Sequence, residues 1–236
     1  MKITVCKFDP AVDANPYYVS GEVPFTENMT ALRALKYFDE NVEHVNYDIS
    51  CRGRICGRCA MMLDGVPTLV CTHKLEDGNH TFEPLAGYPV YCDLIVDKHA
   101  LDDRLTGIYH RVKIEPYDAE SVKTNEKNGE PAKWHTLYEM EYCCRCGVCA
   151  SACPVHSDFP DRYLGPAGML AIAYRYLDPL DQGDRLMEAV SNGLYHCIMC
   201  GTCDDVCPQE DIKHLEAWQM LRDAAEARGI KPSYAE

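Results

Sequence analysis

Two runs of cysteine constrain this chain more than any other feature. Cys143, Cys146, Cys149 and Cys153 stand in the spacing CxxCxxCxxxC with Pro154 next, and Cys197, Cys200, Cys203 and Cys207 repeat it with Pro208 next. This is the bacterial ferredoxin pattern, in which three thiolates of a run hold one cubane and the fourth ligates the cubane of the other run. The spacing therefore predicts one 4Fe-4S cluster on Cys143, Cys146, Cys149 and Cys207, and a second on Cys197, Cys200, Cys203 and Cys153. Crossing the fourth ligands ties the two segments together, so loss of the clusters is expected to unfold this part of the chain. Zinc on two knuckle pairs would account for the cysteines but not for both Cys-Pro endings. Cys144 does not shift the register, because counting from it puts Gly147 where the next ligand belongs.

A separate constellation lies upstream: Cys51, Cys56 and Cys59 in CxxxxCxxC spacing, with Cys71 further on. Plant-type 2Fe-2S centres use this arrangement. Two ferric ions bridged by two sulfides need four thiolates, and a tight loop containing Gly53 and Gly57 can wrap the cluster and point backbone N–H groups at its sulfides. Cys71 would enter from the far strand of a hairpin. A zinc ribbon is the plainer alternative, but structural zinc prefers two short CxxC knuckles. A Rieske centre starts with Cys71-Thr72-His73 yet fails at Cys92, because Ile95 stands where the second histidine would be needed. Of the 15 cysteines, Cys6, Cys92 and Cys144 are left over and read as ordinary buried or half-buried thiols. The alternative use of so many cysteines, a secreted disulfide framework, belongs to chains much smaller than 236 residues.

The segments around these cysteines divide the chain. From the start to about Val96, short β-rich stretches (Ile3 and Val5, Tyr17 to Val23) precede a helix. In that helix Met29, Leu32, Leu35 and Phe38 recur at three-residue steps. Ala60 to Leu63, Asp64-Gly65 and Val66 to Val70 then read as a hairpin. From Glu115 to Lys133, Pro, Glu, Lys, Asn and Asp dominate, which is the composition of a solvated connection. Helices are expected over 134–142, 165–177, 184–191 and about 211–228, with Leu215, Trp218, Met220, Leu221 and Ala224 forming an apolar stripe on the last. The fold expected is α+β: an N-terminal β-grasp plant-type ferredoxin domain over 1–108, then an all-α helical ferredoxin-like domain over 109–236.

Charge and missing motifs exclude other functions. With 23 basic against 37 acidic residues, a net charge of −14 would repel a polyanion, so no nucleic-acid partner is expected. The longest uncharged apolar stretch, Leu164 to Tyr174, falls far short of the roughly 20 residues of a membrane span. No signal for export opens the chain, and a cytoplasmic location is expected. GxGxxG, GxxxxGK[ST], GxSxG and HExxH are all missing, so no nucleotide or hydrolase chemistry is expected on this chain. The nine histidines are scattered without metal spacing and read as surface or capping groups.

A plant-type 2Fe-2S module followed by two CxxCxxCxxxCP runs resembles the iron-sulfur subunit of succinate dehydrogenase and fumarate reductase. The stretches 51–57, Pro84 to Val90 leading to Asp93 to Asp97, and Asp161 to Gly168 also look like that family. The resemblance implies an electron wire through three clusters. Its partners would be a FAD-containing flavoprotein that interconverts succinate and fumarate, and a membrane-anchor or cysteine-rich electron-partner subunit. The chain would sit peripherally on the inner face of the cell membrane through those partners and carry no substrate-catalytic residues; a periplasmic face is possible if it is co-exported with a partner. Most family members lack a cysteine at the position of Cys200 and hold a 3Fe-4S cluster there, so the fourth thiol here implies a second 4Fe-4S cluster. Relatives that reduce quinone commonly place Trp soon after the first Cys-Pro and His after the first cysteine of the second run. Val155 to Asp158 and Ile198 stand there instead, which looks more like the subgroup that docks on a cysteine-rich partner related to a heterodisulfide reductase subunit. Two alternatives remain open at this point: the same wire serving another flavoprotein or a heterodisulfide-type or thiol-dependent reductase, and a zinc-stabilised interaction module.

Overall fold

In a computed structural model of the chain, residues 1–112 and 131–232 are described. Alternation of Ile3 and Val5 with polar neighbours produces β1 (Lys2–Lys7), whose apolar side is fully buried. It pairs antiparallel with β2 (Tyr17–Glu22). The three-residue apolar step becomes α1 (Ala31–Asn41), begun by Thr30, whose Oγ1 accepts the Arg33 N–H at 3.3 Å. Ala31, Leu32, Ala34, Leu35 and Phe38 face inward and share one core with Ile3, Val5 and Phe82.

The Asp64-Gly65 hairpin forms as expected, from β3 (Ala60–Leu63) and β4 (Val66–Leu69), with φ of 52° and 78° at its two turn residues. Both positive values are what a type I′ turn requires, and Asp-Gly supplies them at low cost. A strand not read from the sequence, β5 (Asn79–Glu83), completes a mixed sheet in the order β2-β1-β5-β3-β4, parallel to β1 and antiparallel to β3. This order with one helix laid on the sheet is the β-grasp arrangement. A small ribbon of β6 (Val90–Cys92) and β7 (Ile95–Val96) follows. Beside it the Lys7 ammonium meets Asp93 Oδ2 at 2.7 Å, and both side chains are almost fully buried. The Asp93 carboxylate is saturated by Lys7, the Asn46 backbone and side-chain N–H groups, and the Phe8 N–H.

The remaining elements are helical: α2 (His99–Tyr109), α3 (Pro131–Glu141), α4 (Val148–Ala152), α5 (Pro154–Asp158), α6 (Pro166–Leu177), α7 (Arg185–Ser191), a 3-10 turn at Leu194–His196, α8 (Thr202–Asp205) and α9 (His214–Ala227). Helix α6 is buried on almost every side, as its run of Ala, Gly, Met, Leu and Ile demands. Helices α3, α7 and α9 pack around it. The solvated connection expected from Glu115 lies outside the described residues as far as 130; Pro131 to Lys133 begin α3 instead. Helix α2 was not anticipated, and neither were α4, α5 and α8, each too short to show a 3.6-residue period. Among the described residues no helix is long and apolar enough to cross a membrane.

Two compact units emerge. The first comprises Met1–Ala100, Cys144–Ala152 and Val206–Pro208; the second comprises Leu101–Cys143, Cys153–Asp205 and Gln209–Glu236.

Candidate metal centres

In the first unit, the loop from Cys51 to Cys59 is shaped by left-handed residues. Arg52 and Arg54 have φ of 56° and 64°, and Gly57 has 68°. A non-glycine residue in this region is strained by about 1–2 kcal/mol, a cost that recurs where a loop must aim its amides at a ligand. Here the amides of Gly53, Ile55 and Cys56 lie 3.3, 3.4 and 3.3 Å from Cys51 Sγ, and the Cys51 amide lies 3.5 Å from Cys56 Sγ. Those donors lower the Cys51 thiol to about 7. Cys59 immediately precedes β3 and Cys71 follows β4 by one residue, so the hairpin brings the two together. Burial pushes Cys59 up to about 12. The Cys71 amide opposes that shift, while the Cys71 and Cys56 sulfurs add to it. A buried thiol crowded by other thiols ionises only against a cation, and a coordinated metal reverses this logic.

The first cysteine run carries its own left-handed pair, Arg145 (φ 52°) and Gly147 (φ 85°), and the second repeats it with Met199 (57°) and Gly201 (87°). The internal repeat is thus one of backbone as well as of cysteine, and each run continues into a short helix, α4 or α8. Cys146, Cys149 and Cys207 belong to the first unit, and Cys143 ends a segment of the second. Cys146 is held far above the ordinary thiol value by the adjacent Cys144 sulfur, then by burial and Cys149. The 51–59 loop packs tightly on this run: a Cβ on Gly57 would lie 2.7 Å from the Cys144 carbonyl oxygen and 2.8 Å from Cys146 Cα. Lys98 Nζ bridges the same two segments, at 3.3 Å from the Gly57 carbonyl and 3.0 Å from that of Cys146. Tyr88 OH reaches the Gly147 carbonyl at 3.4 Å.

In the second unit four thiols from different parts of the chain line one small cavity: Cys153 from the end of the first run, and Cys197, Cys200 and Cys203 from the second. Val155, Pro166, Ile198 and Leu215 give the wall its apolar character, and Tyr163 joins them. The Met199 amide lies 3.4 Å from Cys197 Sγ, and the His156 amide 3.5 Å from Cys153 Sγ. Burial drives Cys203 up to about 12, with the charges of Asp204, Cys197 and Cys153 acting in the same direction. The Thr202 hydroxyl, 3.4 Å from Cys200 Sγ, lowers Cys200 instead. Arg222 steadies the loop through its Nη2, 2.6 Å from the Cys197 carbonyl and 3.0 Å from that of Leu194. The donor sets around Cys51, Cys56, Cys59 and Cys71 and around Cys153, Cys197, Cys200 and Cys203, soft thiols with backbone N–H groups turned toward sulfur, fit iron-sulfur clusters.

Several supporting residues have no signature in the sequence: Lys98, Arg222, and the pair Asp204 and His214; Tyr88 lies in the stretch Pro84 to Val90 that the resemblance singles out, but its contact with Gly147 does not show there. His214 differs from the surface or capping role expected of the histidines, because its ring is buried, with Nδ1 2.9 Å from Asp204 Oδ1. The apolar stripe of α9 divides: Trp218 and Leu221 enter the core, and Leu215 lines the cavity. Cys6 and Cys92 stand apart from these three groups, and burial raises both thiols.

A β-grasp module with a four-cysteine centre, joined to a helical module with a repeated cysteine run, defines an iron-sulfur protein of the ferredoxin type. Residues 2–103 match the family model of the 2Fe-2S iron-sulfur cluster binding domain, and residues 139–210 match that of the 4Fe-4S dicluster domain. The chain belongs to the family of fumarate reductase iron-sulfur subunits. It is 33% identical over 219 residues to the Escherichia coli member, covering 89% of this chain and 86% of the relative. It is 31% identical over 224 residues to the Haemophilus influenzae member, with 89% and 87% covered. One chain of the fumarate reductase (CoM/CoB) of Methanothermobacter marburgensis is 31% identical over 98% of this chain, but the match spans only 46% of that protein. The chain therefore spans about half the length of such methanogen relatives. A chain of the Mycobacterium smegmatis Sdh1 complex has the same fold, with a TM-score of 0.80 at 23% identity and 98% of both chains covered.

Proposed function

We propose that this chain is the electron-transfer subunit of a succinate dehydrogenase or fumarate reductase complex. It relays electrons between a FAD-containing flavoprotein subunit, where succinate and fumarate interconvert, and a quinone-linked membrane anchor or cysteine-rich partner. The observation that carries this reading is the convergence of Cys153 on Cys197, Cys200 and Cys203 around one cavity, because a fourth ligand borrowed from the other run is the mark of a two-cluster ferredoxin module.

On this reading Cys51, Cys56, Cys59 and Cys71 hold the 2Fe-2S cluster. Cys143, Cys146, Cys149 and Cys207 hold one 4Fe-4S cluster, and Cys153, Cys197, Cys200 and Cys203 hold the other. The bound clusters supply one-electron redox centres. The protein's part is to keep the thiolates in place, shield them from water, and set each potential through N–H donors such as those around Cys51. The family-model spans support a 2Fe-2S module over 1–108 and a dicluster module over 109–236. A place on the inner face of the cell membrane follows from the proposed partners rather than from any span in this chain.

Anaerobic purification of the native complex tests this directly. The expected result is a co-purifying flavoprotein with FAD, succinate or fumarate turnover, and about ten irons on this chain, the sum of one 2Fe-2S and two 4Fe-4S clusters. A colourless chain containing zinc, or a flavoprotein partner inert toward both acids, would overturn it.

A further inference from the structure

Tyr163 lines the cavity formed by Cys153, Cys197, Cys200 and Cys203 and is only 1% exposed. Its hydroxyl has no hydrogen-bond partner of ordinary geometry. Two other buried side-chain atoms among the described residues share that condition, Trp218 Nε1 and Arg222 Nε, but neither residue is among those lining the cavity. Burying a hydroxyl with its proton unshared is unfavourable, so such a group in a native fold points to an acceptor that is complete only when the cavity is filled, a sulfide or a metal-bound thiolate.

The chain around Tyr163 is held on several sides. Its N–H reaches the Phe159 carbonyl at 3.3 Å, its carbonyl accepts from His156 Nδ1 at 3.1 Å, and the Leu164 N–H reaches Asn192 O at 3.0 Å. Gly193, left-handed at φ 89°, comes so close that an added Cβ would lie 3.0 Å from Tyr163 Cα. Tyr163 is therefore a fixed donor that shares its cavity with Cys153, Cys197, Cys200 and Cys203.

We propose that the Tyr163 hydroxyl donates a hydrogen bond to a sulfur of the cluster held by these four cysteines, Cys197 Sγ or a bridging sulfide, and thereby raises its reduction potential. This rests on the ligand assignment under the proposed function. Sulfur carries more negative charge when the cluster is reduced, and a donor to a charged acceptor is about twice as strong as one to a neutral acceptor, so the bond favours the reduced form. The Met199 amide donates to Cys197 Sγ in both proteins, so a Tyr163→Phe comparison isolates the hydroxyl.

The test is an EPR-monitored redox titration of anaerobically purified wild-type and Y163F protein, with iron counted in both. The expected result is an unchanged iron content and a roughly tenfold shift of this cluster's equilibrium toward the oxidised form, 59 mV for one electron, with the other two clusters unmoved. Equal potentials for all three clusters in the two proteins would overturn the inference and leave the ligand assignment standing. A wild-type chain without this cluster's signal would overturn both. Should Y163F fail to assemble the cluster, 3-fluorotyrosine placed at position 163 alone keeps the ring and strengthens the donor. A raised potential then supports the bond, and an unmoved one overturns it.

Discussion

On the proposed ligand assignment, a single thiol sets the iron count of the third centre. Cys200 is exposed and lowered by Thr202, and it belongs to the four sulfurs around the cavity. Cys200→Ser is expected to remove one iron per chain and produce a 3Fe-4S EPR signal; iron analysis and low-temperature EPR check both. Asp93, outside the proposed ligand sets, contributes to acid stability. Burial, the largest single influence, works to raise its carboxyl, but Lys7, Asn46 and the Phe8 amide together outweigh it and hold the group below the ordinary carboxylate value. A folded value below the unfolded one of about 3.9 means that the stabilisation is complete above about pH 4 and is lost as pH falls through the folded value. Asp93→Asn, which removes the counter-charge of the buried Lys7 and leaves its ammonium on the His44 carbonyl, is expected to cost about 3–5 kcal/mol at pH 7. The gap to wild type should hold down to about pH 5 and close in stronger acid, as read from urea unfolding followed by circular dichroism. The resemblance pointed to the stretch that contains Asp93. That its partner is Lys7 could not be read, since no local pattern links residues so far apart.

At the scale of elements, the cluster loops and the helices are joined by side-chain caps. The Asp204 carboxylate, next to Cys203, accepts the N–H groups of His214 and Leu215 at 2.5 and 3.2 Å, so the start of α9 is capped from the loop that holds the cavity thiols. Removing it in Asp204→Ala is expected to cost about 1–2 kcal/mol. Hydrogen exchange should then show the first-turn amides of α9 opening faster, with those of α1 unaffected. Elements with a strong local signature were legible: the Asp64-Gly65 hairpin, α1 with its three-residue apolar step, and α6 with Pro166 at its start. Those that were missed carry no such signature. Strand β5 reads as Asn79-His80-Thr81-Phe82-Glu83, nearly all polar, and is a strand because β1 and β3 flank it on either side. Helices α4, α5 and α8 have only four or five residues each, and isolated helices of that length do not form in water.

For the whole molecule, iron is expected to be part of the fold. Burial holds Cys59 and Cys203 up at about 12, and the Cys144 sulfur and burial hold Cys146 well above its ordinary value, so without metal these sulfurs would be buried protonated thiols. Anaerobic chelation should therefore bleach the visible absorption and reduce the far-UV helical signal in parallel. A chain that keeps its full helicity after losing its iron would contradict this expectation. The sequence by itself determined the chemistry available: the thiols, their spacing, the local turns that aim amides at them, and the acidic surface. The spacing within each run and the turns beside it are encoded within a few residues of one another, and the acidic surface in the composition. Only the tertiary structure decided which distant groups support each centre: Lys98 and Tyr88 against the first run, Arg222 and Asp204 behind the second, and the Tyr163 hydroxyl in the cavity wall. Such partners are selected by burial, which makes an unpaired polar group costly wherever along the chain its partner lies, and burial is a property of the packed molecule that no stretch of sequence carries alone.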